Sequence, residues 1–262
     1  MRIALTIAGS DSGGGAGIQA DIKTFQRFGV FGTTAITAIT AQNTRGVARW
    51  EAVSPTLVRA QIDSVVEDLP PAASKSGMLA NAAVASAVAA AVRDHALGNY
   101  VLDPVMVATS GDVLLEADAI DVIRRELVPL AFLVTPNLRE AEILVGETIE
   151  DEDAMAHAAE RMVREMGAQA VLIKGGHLAS DHRVVDILYN GSVRAFRGQR
   201  LATTSTHGTG CTLSAAITAQ LAKGESLHAA VRRSIDYVHN AIASAPGLGS
   251  GHGPLNHLAE DN

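Results

Sequence analysis

Two glycine-rich stretches, one cysteine and three charged residues at the ends of aliphatic runs are the parts of this sequence that could do chemistry. The later stretch, Thr203-Thr204-Ser205-Thr206-His207-Gly208-Thr209-Gly210-Cys211-Thr212, leads into an apolar run over 213–222. If that run is helical, the backbone N–H groups from Gly208 to Cys211 gather at its N-terminus. With the helix dipole they would form a hole for charge developing on a transferring phosphoryl group. Cys211 is the only cysteine of the chain. A thiol placed there has its pKa lowered from about 8.5 and becomes a usable base near neutral pH. Read without its neighbours, the same residue is a small buried hydrophobe at a Gly-rich helix entry. His207, one helical turn earlier, either assists or is a structural histidine bonded to a nearby Thr or Ser.

The earlier stretch, Gly9-Ser10-Asp11-Ser12-Gly13-Gly14-Gly15-Ala16-Gly17, precedes a helical pattern with Ile18, Ile22 and Phe25 on one face. Glycines allow close approach of backbone to ligand, and helix N-termini attract anions. Residues 15–20 match the dinucleotide fingerprint G-x-G-x-x-A. That fingerprint expects an acidic residue about 20 positions on, and residues 31–50 contain no Asp or Glu, which argues against a nicotinamide cofactor. No G-x-x-x-x-G-K-[ST], G-x-S-x-G or H-E-x-x-H occurs, which excludes a P-loop enzyme and the commonest hydrolases. Asp103, in Asp103-Pro104-Val105-Met106, and Glu140, in Thr135-Pro136-Asn137-Leu138-Arg139-Glu140, each follow an aliphatic run. Both carboxylates could hold Mg²⁺ directly or through its waters. Equally, they could be a turn aspartate and a first-turn helix glutamate. Lys174, in Lys174-Gly175-Gly176-His177, also ends a strand pattern and could touch a nucleotide phosphate.

The elements that must position these residues alternate along the chain. Short aliphatic runs over 3–8, 33–41, 73–77, 100–103, 132–135, 170–174 and 184–189 read as strands separated by helical patterns, the mark of repeated βαβ units. In an open parallel sheet ligands bind beyond the carboxyl ends of the strands, so the charged strand ends could meet at one site. Ser54-Pro55 supplies an N-cap and N1 proline for a helix carrying Leu57, Val58, Ile62 and Val65 on one stripe. The run over 153–166 reads as a helix closed by Gly167. The Ala/Val run over 78–92 reads as a buried helix, being shorter than the ~20 apolar residues that span a bilayer. Residues 1–9 read as a first strand and not as a signal segment. The tail over 246–257 has no clear period and is expected on the surface. No linker or repeat divides the chain, so a single domain over 1–262 is expected.

Composition agrees. Hydrophobic residues make up 47% and charged residues 19%, enough for a large core, while aromatics are only 3%, so aliphatic side chains do the packing. A net charge of −7 offers no basic stripe for nucleic acid. A lone cysteine excludes an intramolecular disulfide and a thiolate metal cluster, and suggests a reducing cytosol.

Five segments occur together and in order: residues 9–21, Ala41-Gln42-Asn43-Thr44, Asp103-Pro104-Val105-Met106, Thr135-Pro136-Asn137 and His207-Gly208-Thr209-Gly210-Cys211-Thr212. In these the chain resembles the hydroxymethylpyrimidine/phosphomethylpyrimidine kinases of thiamine biosynthesis, within the ribokinase-like superfamily. The resemblance runs from Ile3 into the tail. It implies an α/β fold with a largely parallel central sheet flanked by helices on both faces, ATP and Mg²⁺, a cytoplasmic homodimer, and no nucleic acid or membrane partner. It implies that the pyrimidine lies near Gly9, Ala16, Asp21, Gln42, Met78 and Val105. It assigns the anion hole to Gly208, Thr209, Gly210 and Cys211, with Cys211 as the base. Asp103 and Glu140 fall at metal-organising positions, and Lys174 and Thr209 at nucleotide-phosphate positions. The substrate would be 4-amino-5-hydroxymethyl-2-methylpyrimidine and then its monophosphate. Many members carry a lysine shortly after the Asp-Pro-Val-Met segment, where this chain has Val107-Ala108-Thr109-Ser110. The alternatives are a pyridoxal or pyridoxine kinase on the same fold, and a non-catalytic nucleotide-binding protein.

Overall fold

A computed structural model describes residues 1–106, 114–176 and 183–260. Among the described residues nine strands form one sheet: β1 (Ile3–Ser10), β2 (Phe31–Asn43), β3 (Gly46–Ala52), β4 (Ala73–Ser76), β5 (Tyr100–Leu102), β6 (Leu133–Val134), β7 (Val171–Ile173), β8 (Arg183–Tyr189) and β9 (Val193–Gln199). Their order across the sheet is β3-β2-β1-β4-β5-β6-β7-β8-β9. From β2 to β7 every pairing is parallel, while β3, β8 and β9 join antiparallel. The run over 184–189 is therefore a strand as expected, but it is the first arm of a hairpin and not another βαβ strand.

Eight α-helices among the described residues cover the sheet: α1 (Gly17–Arg27), α2 (Pro55–Asp68), α3 (Ala82–Asp94), α4 (Ala117–Val122), α5 (Leu138–Val145), α6 (Glu152–Arg164), α7 (Thr209–Ala222) and α8 (Leu227–Ala243). Helices α2 to α6 pack Val58, Ile62, Val88, Leu144 and Met155 against one face, with Leu5 and Ile7 of β1. On the other face α1, α7 and α8 pack Phe25, Leu213, Ile217 and Val231 against Ala4, Val101 and Leu133. Strands buried on both faces are mostly aliphatic, which explains why the short runs could be read as strands; β4 departs from this, with Ser74, Lys75 and Ser76 all buried.

Local signals behave as their chemistry requires. Ser54 Oγ accepts from Leu57 N, and Pro55 opens α2. Asn81 does not interrupt the helix expected over 78–92. Its side chain accepts from Val84 N and caps α3, so Met78 stays outside the helix in the turn after β4. Helix α6 ends at Arg164, and Gly167, with φ +83, follows after a further turn of chain. The tail corrects its expectation: Leu255 and His257 are buried, Asn256 N donates to Ala241 O, and Tyr237 Oη donates to His257 O.

Candidate active site

Strand β1 lies inside the sheet, and the chain passes from it to β2 on one side and later to β4 on the other. That reversal opens a crevice beyond the carboxyl ends of the parallel strands. There a cavity of about 740 Å³ is lined by Gly9 and Asp11 after β1, Met78 after β4, Asp103 and Val105 after β5, Glu140 in α5, Lys174 after β7, and the start of α7. Gly9, Ala16, Gln42, Met78 and Val105 all line it, with Met78 and Val105 continuing an apolar patch that includes Ala38 and Trp50.

The N-terminus of α7 lines the cavity through Gly208, Thr209, Gly210 and Cys211. Gly208 adopts φ +81, and a Cβ there would collide with the carbonyl oxygen of Gly15, so the two glycine clusters touch. The expected ring of four amides is incomplete, because Thr209 N and Oγ1 both donate to Thr206 O, at 3.2 and 2.8 Å. Among the described residues the amides of Gly208, Gly210 and Cys211 meet no acceptor, leaving these for an anion. A Cβ on Gly210 would lie 3.2 Å from Lys174 Nζ, which places that ammonium beside the helix start.

Lys174 and the two carboxylates form one electrostatic unit. Lys174 Nζ donates to Asp103 Oδ1 at 3.0 Å, and Ser214 Oγ to Asp103 Oδ2 at 3.2 Å. Burial opposes ionisation of Asp103, but Lys174 and Lys75 outweigh it and hold the carboxyl below its usual range. Glu140 closes a capping box on α5, accepting from Asn137 N at 2.8 Å while its own N–H donates to Asn137 Oδ1. Burial and the nearby Asp103 charge push it up to about 7 against the pull of Lys174. The first-turn glutamate and the cavity carboxylate are therefore one residue serving both ends.

Two expectations are corrected. Asp21 is not at the cavity wall. It is fully buried, with Oδ2 accepting from Thr6 Oγ1 at 2.6 Å and Oδ1 from Lys75 Nζ at 2.8 Å, so both oxygens are turned to protein partners and not to the cavity. The position followed from resemblance, and the strand residue Lys75 that claims it carries no such motif. The Cys211 thiol is also pushed up, to about 12. Burial is the main cause, Asp21 and Asp103 add to it, and Lys75 and the Gly17 amide at the sulfur oppose it. A helix start and the nearby Lys75 favour the thiolate; burial and the charges of Asp21 and Asp103 oppose them and prevail, although Cys211 is only half-buried and lines the cavity.

Sequence reasoning also missed Asp11, whose carboxylate organises the first glycine loop. Its signal was an Asp followed by glycines at the end of a strand, an Asx-turn pattern. His207 pairs with this carboxylate and, among the described residues, with no Thr or Ser side chain. His177 and residues 107–110, including Thr109, lie outside the described residues.

A parallel sheet that points a helix start with free amides, a lysine and two carboxylates at one crevice defines a ribokinase-like small-molecule kinase. The family model for phosphomethylpyrimidine kinase matches residues 11–256, and the chain belongs to that family. A hydroxymethylpyrimidine/phosphomethylpyrimidine kinase of Bacillus subtilis is 49% identical over 98% of this chain and 94% of its own length. A phosphomethylpyrimidine kinase crystal structure from Clostridium difficile superposes with a TM-score of 0.83 at 40% identity, covering 92% of this chain and all of that one. The ADP complex of Bacillus subtilis pyridoxal kinase gives a TM-score of 0.90 at 38% identity, covering 99% of this chain and 98% of that one.

Proposed function

We propose that the chain, acting as a single kinase domain, transfers the γ-phosphate of ATP to the hydroxymethyl group of 4-amino-5-hydroxymethyl-2-methylpyrimidine. It then phosphorylates the monophosphate to the diphosphate, for thiamine biosynthesis. The observation that carries this reading is the free-amide start of α7 facing Lys174, Asp103 and Glu140 across one cavity, in a chain of this family.

Gly9, Ala16, Gln42, Met78 and Val105 hold the pyrimidine, the apolar pair against its faces and methyl group. Lys174 turns from Asp103 toward the nucleotide phosphates, and the hydroxyl of Thr209 stands at the same end. The amides of Gly208, Gly210 and Cys211 receive the equatorial oxygens of a loose transition state. Asp103 and Glu140 suit Mg²⁺, which prefers hard oxygen donors, keeps several waters and shares the substrate phosphates. When bound there, Mg²⁺ supplies positive charge that offsets Asp103 and stabilises the phosphates. Cys211, its own proton first released to solvent, takes the hydroxymethyl proton as the thiolate that Lys75 and the Gly17 amide favour.

The protein works as a cytoplasmic homodimer in this reading; among the described residues no helix is long and apolar enough to cross a membrane. Pyridoxal is the competing acceptor to include, since pyridoxal kinases share the fold. ADP release measured with each acceptor tests the assignment: a kcat/KM for hydroxymethylpyrimidine at least tenfold above that for pyridoxal is expected, and the reverse order would replace it.

A further inference from the structure

Asp11 is 3% exposed, yet its carboxylate collects four donors. Three are amides of its own loop: Gly13 N at 2.7 Å, Gly15 N at 3.0 Å and Ala16 N at 2.8 Å. The fourth, His207 Nε2 at 2.8 Å, comes from the other glycine cluster, one residue before Gly208. The backbone N–H of His207 donates to Gly253 O at 3.1 Å, so the tail fixes the residue from behind. Its ring occupies the space a Cβ on Gly15 would need.

We propose that Asp11 and His207 are positioning residues whose single hydrogen bond clamps the acceptor loop to the phosphoryl-holding start of α7. The inference rests on the function proposed above, because the clamp sets the distance from the acceptor hydroxyl to the phosphorus. A carboxylate crowded by amide donors can only accept, so the ring nitrogen facing it carries hydrogen. His207 is therefore held with Nε2 protonated. Reacting atoms must approach to about 3–3.5 Å, and a displacement of 1 Å costs about 10²-fold in rate. Lys174, which meets the nucleotide phosphates, is held by Asp103 and not by this bond, so turnover depends on the bond more than nucleotide affinity does.

Two measurements test this. Long-range ¹H–¹⁵N correlation on the labelled wild-type protein reads the tautomer without any variant: a proton on Nε2 is expected, and a bare Nε2 overturns the clamp. In kinetics, His207→Leu keeps bulk but loses the donor, while His207→Gln can place an amide N–H where Nε2 stood. His207→Leu should lower kcat for the pyrimidine by about 10²-fold with the KM for ATP nearly unmoved, and His207→Gln should recover about tenfold or more of that loss. Equal loss in both variants, or a loss confined to the KM for ATP, refutes the proposal. If His207→Leu fails to fold, the tautomer decides. A wild-type protein that leaves the pyrimidine unphosphorylated would remove the function reading while the tautomer result still stands.

Discussion

Cys211 and Glu140 carry the sharpest consequences at the scale of single residues. Replacing Cys211 by Ala should lower turnover by about 10²–10⁴-fold, the range for one general base, with ATP affinity largely kept. Equal turnover in a steady-state assay would remove the thiol from the mechanism. In the free protein that thiol is held high. Its alkylation by iodoacetamide should therefore climb tenfold per pH unit from pH 7 to about 10, and a plateau near neutrality would contradict the burial argument. Glu140 behaves oppositely to a salt-bridged carboxylate. Its folded pKa, about 7, lies above the ordinary 4.5, so between these values the folded state holds the proton that the unfolded state has released. Stability then falls as pH rises from about 4.5 to about 7 and is level beyond. Glu140→Gln keeps a capping side chain at the same position. In metal-free buffer its melting temperature should gain on wild type from pH 5 to pH 8, and parallel curves would show that the carboxyl is not perturbed. The site residues could be picked out by type and by their place after aliphatic runs. Their ionisation could not, because it depends on Lys75 and Lys174, which no local pattern joins to Cys211 or Asp103.

Among the elements, β4 and α1 are tied by one buried ion pair. Lys75 on β4 and Asp21 on α1 are both fully buried. Burial disfavours both charges and raises the Asp21 carboxyl, yet Asp21 and Asp103 hold the Lys75 ammonium above its usual range. Lys75→Met leaves Asp21 without its partner and should cost about 3–5 kcal/mol by chemical denaturation, the usual cost of breaking such a pair from one side. A change under 1 kcal/mol would mean that Asp21 is already neutral. The parallel strands were legible because a strand covered on both faces is mostly aliphatic, as Ala4, Leu5 and Ile7 are, with Thr6 and Ser74-Lys75-Ser76 of β4 the buried polar exceptions. The edge strands were not. In β9 only Phe196 is buried, and β3 carries Arg49 and Glu51 on an exposed rim, so neither makes an aliphatic run. The amphipathic α8 also escaped notice, although Ser226 caps it and Val231 and Val238 face the core.

On the scale of the whole molecule, the site is assembled from both ends of the chain. The tail hydrogen-bonds the β2–β3 turn through His252 N to Thr44 O, buries Leu255 beneath α8 and α1, and supports His207 through Gly253. Deleting the chain from Gly249 onward should lower stability by about 2 kcal/mol or more from the loss of Leu255 burial alone, and activity with it. A truncated protein of unchanged melting temperature would show the tail to be ornamental. Its missing period hid this role, since the tail packs by single anchors and not by a repeating face. In the proposed reaction this cavity moves phosphate from ATP onto a hydroxymethylpyrimidine, twice. Mass spectrometry of the products formed with ATP, Mg²⁺ and 4-amino-5-hydroxymethyl-2-methylpyrimidine reads acceptor and phosphate number together. The monophosphate is expected first and the diphosphate after it; ADP with only inorganic phosphate, and an unmodified pyrimidine, would overturn the assignment.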